Sequence, residues 1–351
     1  MKEVLDLSLG FIGIHAGRRK SQPVSQNETL ANLFERDGYV VHRSSAVKRP
    51  ALRTLHHLWS LIAWRDVDVV VVAVFSGPSF LIAEYATLMA KVFHHPRVVL
   101  FLHGGKLAEW EESHPRRVRR AFRRADLIFA PSEFLAASFR ERGYDVGIIP
   151  NVLALDRYTY TPRAAARPRL LWMRTFQDVY DPKTAVAVLA RVAERHPDVT
   201  MTMGGADHGA LAETQQLAAD LGVADRIDFA GYLDAATKAR AFADHDVYLN
   251  TNLADNMPVS LIEAAASGLV PVATAVGGIP ALVEDGTDAL LAPAGDVEAL
   301  SAAVCRLLDD PAVFEPLSRG ARALAERSGW ASVRQGWEHA FAELDIPRKP
   351  R

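Results

Sequence analysis

Residues 67–75 read Val-Asp-Val-Val-Val-Val-Ala-Val-Phe, and residues 97–103 read Arg-Val-Val-Leu-Phe-Leu-His. Neither run alternates apolar with polar residues, so neither suits a strand with one face in water. A strand apolar on both faces must be covered on both, as in a parallel sheet flanked by helices. Further β-rich runs recur along the chain, alternating with amphipathic stretches of helix length. That alternation predicts an α/β chain built on doubly wound sheets. In the first half the predicted strands are 5–14, 39–43, 67–75, 98–103, 127–130 and 147–149. In the second they are 170–173, 200–203, 227–230, 247–250, 271–274 and 289–291.

Six strands precede and six follow the stretch 152–168, which has no consistent period and carries two prolines. The chain of 351 residues, 49% of them hydrophobic, is long enough for two cores. The expected organisation is one Rossmann-like domain at 1–152, a linker at 153–168, and a second Rossmann-like domain at 169–329. Residues 330–351 follow; there Trp330, Val333, Trp337 and Phe341 fall on one helical stripe, expected to pack across the junction of the halves.

A net charge of −2 gives no reason to expect a nucleic-acid partner. The single cysteine, Cys305, rules out an internal disulfide framework and any multi-cysteine zinc site, and its apolar-periodic setting makes it a small buried hydrophobe. The opening residues carry an apolar run, but glycines interrupt it, and it is read as a buried strand rather than a secretory leader. No window approaches the roughly 18–20 apolar residues of a membrane span. The expectation is a cytoplasmic protein, at most peripheral at the inner face of the membrane.

The most informative segment is 250–278, Asn-Thr-Asn-Leu-Ala-Asp-Asn-Met-Pro-Val-Ser-Leu-Ile-Glu through to Gly277-Gly278. A strand ends near Asn250, a polar loop follows, and Pro258 stands where a helix should begin, with Gly268 just past its end. The free amides around Val259, Ser260 and Leu261 would form an anion site fit for a diphosphate. Glu263, about one turn in, could accept two vicinal hydroxyls of a ribose. Asp255, eight positions earlier, would reach towards a transferred sugar.

This segment resembles the E-x7-E region of glycosyltransferase family 4, the retaining enzymes of the GT-B fold. The resemblance includes Leu261-Ile262-Glu263-Ala264, Ala266-Ser267-Gly268, Pro271-Val272 and Gly277-Gly278-Ile279-Pro280. It implies two Rossmann-like domains facing each other across a cleft, with the C-terminal helix crossing the junction. It also implies transfer with retention, without a metal or other cofactor, from a UDP- or GDP-sugar that is itself a substrate. In the family the first acid contacts the donor sugar and the second the ribose, roles that would fall on Asp255 and Glu263. The first position departs from the pattern, because this chain has Asp where the family has Glu.

Residues 170–192 supply two cations, Arg174 after a strand and Lys183 at the start of a helix, suited to a departing diphosphate. The family carries an Arg and a Lys in corresponding places. His103, followed by Gly104 and Gly105, ends a strand of the first half, where glycines allow a backbone to approach a ligand. Related enzymes hold a histidine near this point beside the reacting sugar. Gly13 and Gly17 follow the first strand, where family members have a glycine loop against the diphosphate and acceptor. That loop is not a dinucleotide fingerprint.

Asp244-His245-Asp246 and Asp66-Val67-Asp68 imitate a metal-binding D-x-D but read as helix-end and strand-start residues, so no metal is expected. The basic segment with Arg116, Arg117, Arg119, Arg120, Arg123 and Arg124 is either a solvated helix face or an interfacial helix on anionic lipid, which would suit a lipid-linked acceptor. The acceptor itself is not legible. Two alternatives stay open: a GT-B nucleotide-sugar epimerase, and a weakly catalytic or non-catalytic nucleotide-sugar-binding subunit.

Overall fold

The computed structural model describes residues 7–13, 25–45, 47, 49–64, 66–92, 96–104, 107–344 and 346; Gly17 and Gly105 lie outside them. The chain forms two compact units, Met1–Ala154 with Trp330–Arg351, and Leu155–Gly329. All twelve predicted strands are present, their ends moved by at most three residues.

In the first unit, chain order is β1 (Ser8–Ile12), α1 (Gln26–Arg36), β2 (Val40–Ser44), α2 (Pro50–Ala63), β3 (Val69–Val74), α3 (Phe80–Val92) and β4 (Arg97–Leu102). It continues with α4 (Leu107–Ser113), α5 (Pro115–Phe122), β5 (Leu127–Ala130), α6 (Glu133–Arg140) and β6 (Gly147–Ile148). The strands pair in parallel in the order β2-β1-β3-β4-β5-β6. Successive residues of β3 show why its sequence is continuously apolar. Val69 and Val71 pack with Leu30 and Phe34 of α1, while Val70, Val72 and Val74 pack with Phe80, Val118 and Phe139 of α3, α5 and α6. Both faces are covered, and every residue of β3 is buried.

The second unit runs β7 (Arg169–Met173), α7 (Pro182–Ala193), β8 (Thr200–Gly204), α8 (Leu211–Asp220), β9 (Ile227–Gly231), α9 (Ala235–Asp244) and β10 (Val247–Asn250). Then come α10 (Val259–Ala266), β11 (Val270–Thr274), α11 (Ile279–Leu282), β12 (Leu290–Ala292), α12 (Val297–Asp309) and α13 (Pro311–Arg327). This sheet is parallel too, in the order β12-β11-β10-β7-β8-β9. Cys305 is half-buried on α12 against the core rather than fully buried, and burial pushes its thiol pKa up.

The final helix, α14 (Trp330–Glu343), belongs to the first unit. Its predicted stripe of Trp330, Val333, Trp337 and Phe341 is buried in the cluster that holds Phe34. The Trp330 ring meets the Phe34 ring edge-on at 4.8 Å, and its indole N–H donates to Asp37 at 2.7 Å.

The aperiodic stretch ahead of β7 packs on the second unit through polar contacts. Asp246, 1% exposed, takes Arg163 at 2.6 Å and Arg167 at 2.8 Å. The second acid of the other D-x-D imitation, Asp68, accepts the Ser8 N–H at 2.9 Å. Among the described residues, no helix is long and apolar enough to cross a membrane.

Candidate active site

In the second unit β10 and β7 are neighbours, yet the chain leaves them in opposite directions, β7 towards β8 and β10 towards β11. Such a reversal opens a crevice at the strands' carboxyl ends, where open α/β sheets take ligands. Arg174 follows β7, and the loop from Thr251 to Pro258 follows β10. Two distant stretches of sequence are thereby brought to one place.

Helix α10 starts at Val259, and Pro258 is its N-cap in an extended conformation, not the predicted first helical residue. A proline cap has no side-chain acceptor for the first turn. The N–H of Leu261 donates to the Pro258 carbonyl at 3.1 Å. Those of Val259 and Ser260 have no acceptor among the described residues. The predicted anion site therefore narrows to these two amides, at the positive end of the helix dipole. At the other end Gly268 adopts φ +93°, a left-handed conformation that favours glycine.

Arg174 and Asp255 meet directly. Arg174 Nη2 lies 2.5 Å from Asp255 Oδ2, with both side chains largely buried. The guanidinium also covers the Tyr180 ring at 4.0 Å and donates to Ser260 Oγ at 3.3 Å. Ser260 in turn accepts the buried Tyr248 hydroxyl at 2.8 Å. Burial raises the Asp255 pKa above its ordinary value, against the pull of Arg174, the backbone N–H groups of Asn256 and Met257, and Asn252. Glycines make the approach possible. A Cβ at Gly205 would come within 1.7 Å of the Arg174 carbonyl oxygen, and one at Gly277 within 2.0 Å of that of Asp255.

Glu263 lies about one turn into α10 with its side chain 13% exposed. Its Oε1 accepts the Tyr158 hydroxyl and the Lys238 ammonium, each at 2.6 Å. Burial, then the charge of Glu263, pushes the Tyr158 hydroxyl pKa far up, so it remains a donor. Lys183 stands apart from the Arg174 cluster: its exposed ammonium pairs with Glu213 at 2.9 Å. Tyr158, Lys238, Tyr180 and Asn252 were not singled out by the sequence. Asn252 sits inside the recognised motif, but Tyr158 lies in an aperiodic stretch that carries no signal.

The first unit holds His103 and Gly104 at the carboxyl end of β4. His103 is buried between Phe75, stacked at 5.3 Å, and Phe101, edge-on at 4.5 Å. Its Nε2 has no partner among the described residues, and burial lowers its pKa to about 4. Gly104 has φ +89°. A Cβ at Gly13 would press on Asn27 of α1 at 2.7 Å. On α5, Val118, Ala121 and Phe122 are buried and Arg116, Arg119 and Arg120 exposed, as is Arg123 at its C-cap; Arg117 pairs with Glu84 at 2.6 Å.

Comparison with known proteins agrees with this picture. Residues 16–157 match Glycosyltransferase Family 4, and residues 167–310 match Glycosyl transferases group 1. The chain is 31% identical over 185 residues to a D-inositol 3-phosphate glycosyltransferase of Streptomyces griseus, covering 48% of this chain and 39% of that protein. It is 30% identical over 198 residues to a phosphatidyl-myo-inositol mannosyltransferase of Mycobacterium leprae, covering 54% and 52%. It thus spans about half the length of the curated relatives it matches. Anabaena HepE, solved with UDP-glucose, superposes with a TM-score of 0.78 at 18% identity, covering 96% of this chain and 100% of that one.

Two parallel six-stranded Rossmann-like units define the GT-B class. Within that class, the chain belongs to glycosyltransferase family 4.

Proposed function

We propose that the chain transfers a sugar, with retention and without a metal, from a nucleotide-diphosphate sugar to an acceptor hydroxyl. The observation that carries this reading is the convergence, at one switch point, of Arg174, the uncommitted amides of Val259 and Ser260, and Glu263. Arg174 and the two amides hold the leaving diphosphate while charge builds on it. Glu263 takes the ribose hydroxyls. The departing nucleoside diphosphate can itself accept the acceptor's proton, so no general base is assigned. A UDP- or GDP-sugar is the donor; UDP-glucose in the HepE complex supports a donor of this chemistry.

The test is a thermal-shift screen of UDP- and GDP-sugars, followed by proton NMR of the product's anomeric configuration. A stabilising donor and a retained anomeric centre are expected. An epimerised free sugar formed without acceptor would favour the epimerase reading, and binding with no transfer the non-catalytic one.

A peripheral membrane contact belongs to the same proposal, and one feature of the first unit favours it. Leu52, Leu55, Trp59 and Ile62 recur on one face of α2 and are each at least half exposed. Helices α2, α3 and α5 pack side by side, so this stripe and the α5 arginines share one helical layer. Apolar anchors beside arginines suit an anionic lipid surface, and hence a lipid-linked acceptor.

A further inference from the structure

We infer that Asn27 and Phe75 form a saccharide-binding site in the first unit, fit for a neutral pyranose as the acceptor; the acceptor role rests on the glycosyl-transfer reading above. In the first sheet β1 and β3 are neighbours, and the chain leaves β1 towards β2 and β3 towards β4. This is that unit's own switch point, and its ligand crevice lies at the carboxyl ends of those two strands.

Asn27 stands at that place. With Leu30, Ala31 and Phe34 it lies on the buried stripe of α1, at the spacing where an apolar residue is expected. It is 2% exposed, yet among the described residues neither its Nδ2 nor its Oδ1 has a hydrogen-bond partner. Burying a primary amide without a partner is costly, and a packed core gains nothing from it. The amide is held against the end of β1. A Cβ on Gly13 would lie 2.7 Å from Asn27 Nδ2 and 3.5 Å from the Ala73 Cβ of β3. Its carbonyl acceptor and its N–H donors lie side by side, a set that neighbouring sugar hydroxyls satisfy.

Phe75 supplies the apolar half. Val69 and Val71 pack towards α1, and the two-residue alternation of β3 carries Ala73 and then Phe75 on to that same face. His103 stacks on the Phe75 ring at 5.3 Å with 21° between the planes, and itself meets Phe101 of the α1 cluster edge-on. With His103 on one side, Phe75 is still 39% exposed. The C–H face of a pyranose is apolar and suits the electron-rich face of such a ring. An aromatic platform and an unpartnered amide, both uncharged and on one face of the sheet, match a neutral sugar and not a phosphate.

Saturation-transfer NMR tests the site, with the methyl α- and β-glycosides of glucose, galactose, mannose and N-acetylglucosamine as probes. At least one should bind wild type, with its ring C–H protons saturated most strongly. Asn27→Leu and Phe75→Ala should each weaken it by about tenfold or more, while Phe75→Trp retains it. Because the Asn27 amide has no partner in the fold, Asn27→Leu should melt no lower than wild type; a purely structural asparagine would lower the Tm and leave glycoside affinity intact. Should Asn27→Leu fail to fold, the contrast between Phe75→Ala and Phe75→Trp still decides. No saturation of any glycoside, or wild-type affinity in the Asn27 and Phe75→Ala variants, overturns the inference. Displacement of the glycoside by inorganic phosphate would mark an anion site and overturn it too. UDP and GDP binding is followed by calorimetry on the same proteins. If neither diphosphate binds, the donor reading falls, and glycoside binding lost in Asn27→Leu would leave the saccharide site standing without its role in transfer.

Discussion

The Tyr158 hydroxyl donates to Glu263 Oε1 at 2.6 Å across 105 positions of sequence. With Lys238 on the same oxygen, it orients the carboxylate that is proposed to grip the ribose. Tyr158→Phe should therefore weaken nucleoside binding by about three- to tenfold, and Glu263→Ala, which removes the acceptor of both ribose hydroxyls, by more. Binding of the 2′-deoxy nucleotide should change less, because it lacks one of the hydroxyls. Equal losses for the ribose and deoxyribose forms, read by calorimetry, would remove Glu263 from the ribose site.

Arg174 and Lys183 should separate in kinetics. Arg174→Ala removes a partly buried cation from the proposed diphosphate site, and a loss in kcat of about 10²-fold is expected. Lys183→Ala deletes an exposed ammonium already paired with Glu213, and a change within about threefold is expected. Steady-state rates decide it. A Lys183→Ala loss as large as that of Arg174→Ala would mean that the lysine leaves Glu213 for the phosphates.

His103 should make the protein acid-sensitive. Burial disfavours its cation, so its folded pKa of about 4 lies below the ordinary 6.5. The stabilising contribution is therefore complete above about pH 6.5 and is lost as pH falls towards 4. The gap corresponds to roughly 3 kcal/mol. Denaturation midpoints of wild type and His103→Gln, compared at pH 7 and pH 4.5, isolate it: wild type should lose more. Parallel losses would show that His103 is protonated without cost in the fold.

Asp246 should behave as a structural acid. Removing its charge in Asp246→Asn strands Arg163, whose side chain is 6% exposed, and should cost about 3–5 kcal/mol. Asp244→Asn, at the exposed end of α9, should stay within about 0.5 kcal/mol. Melting curves test the contrast; a D-x-D metal site would instead show as stabilisation of the wild type by added divalent cations that both variants lose.

The α2 stripe and the α5 arginines should act together on lipid. Sedimentation with anionic vesicles at low salt is expected for wild type, and much weaker for Leu55→Glu with Trp59→Glu. Arg119→Glu with Arg123→Glu should restrict binding further as salt rises, since screening shortens the reach of the remaining charges. Equal binding to neutral vesicles would point to the apolar stripe alone. Self-association of wild type, lost in the stripe variant, would identify a second copy as the partner.

The features legible in the sequence are local and periodic. β-rich runs alternating with helix-length stretches, some of them continuously apolar as in β3, placed every strand, and the 3.6-residue stripe of Trp330, Val333, Trp337 and Phe341 defined a buried helix before its partner was known. The proline and glycine around α10 marked its ends to within a residue. The motif also marked Asp255 and Glu263 as the candidate donor-site acids. Tertiary structure alone decided what those groups touch. Arg174 reaches Asp255 only because β7 lies beside β10, 81 positions apart along the chain. Tyr158 reaches Glu263 from a stretch without period, and Lys183, chosen for its place at a helix start, is drawn to Glu213 on α8. Even α14 could be recognised as buried but not assigned to its unit, since a hydrophobic stripe specifies that it will be covered and not by what. Periodicity is read from a few consecutive residues. An ion pair depends on strand order, glycine-sized gaps and burial, all of which exist only once the sheet is assembled.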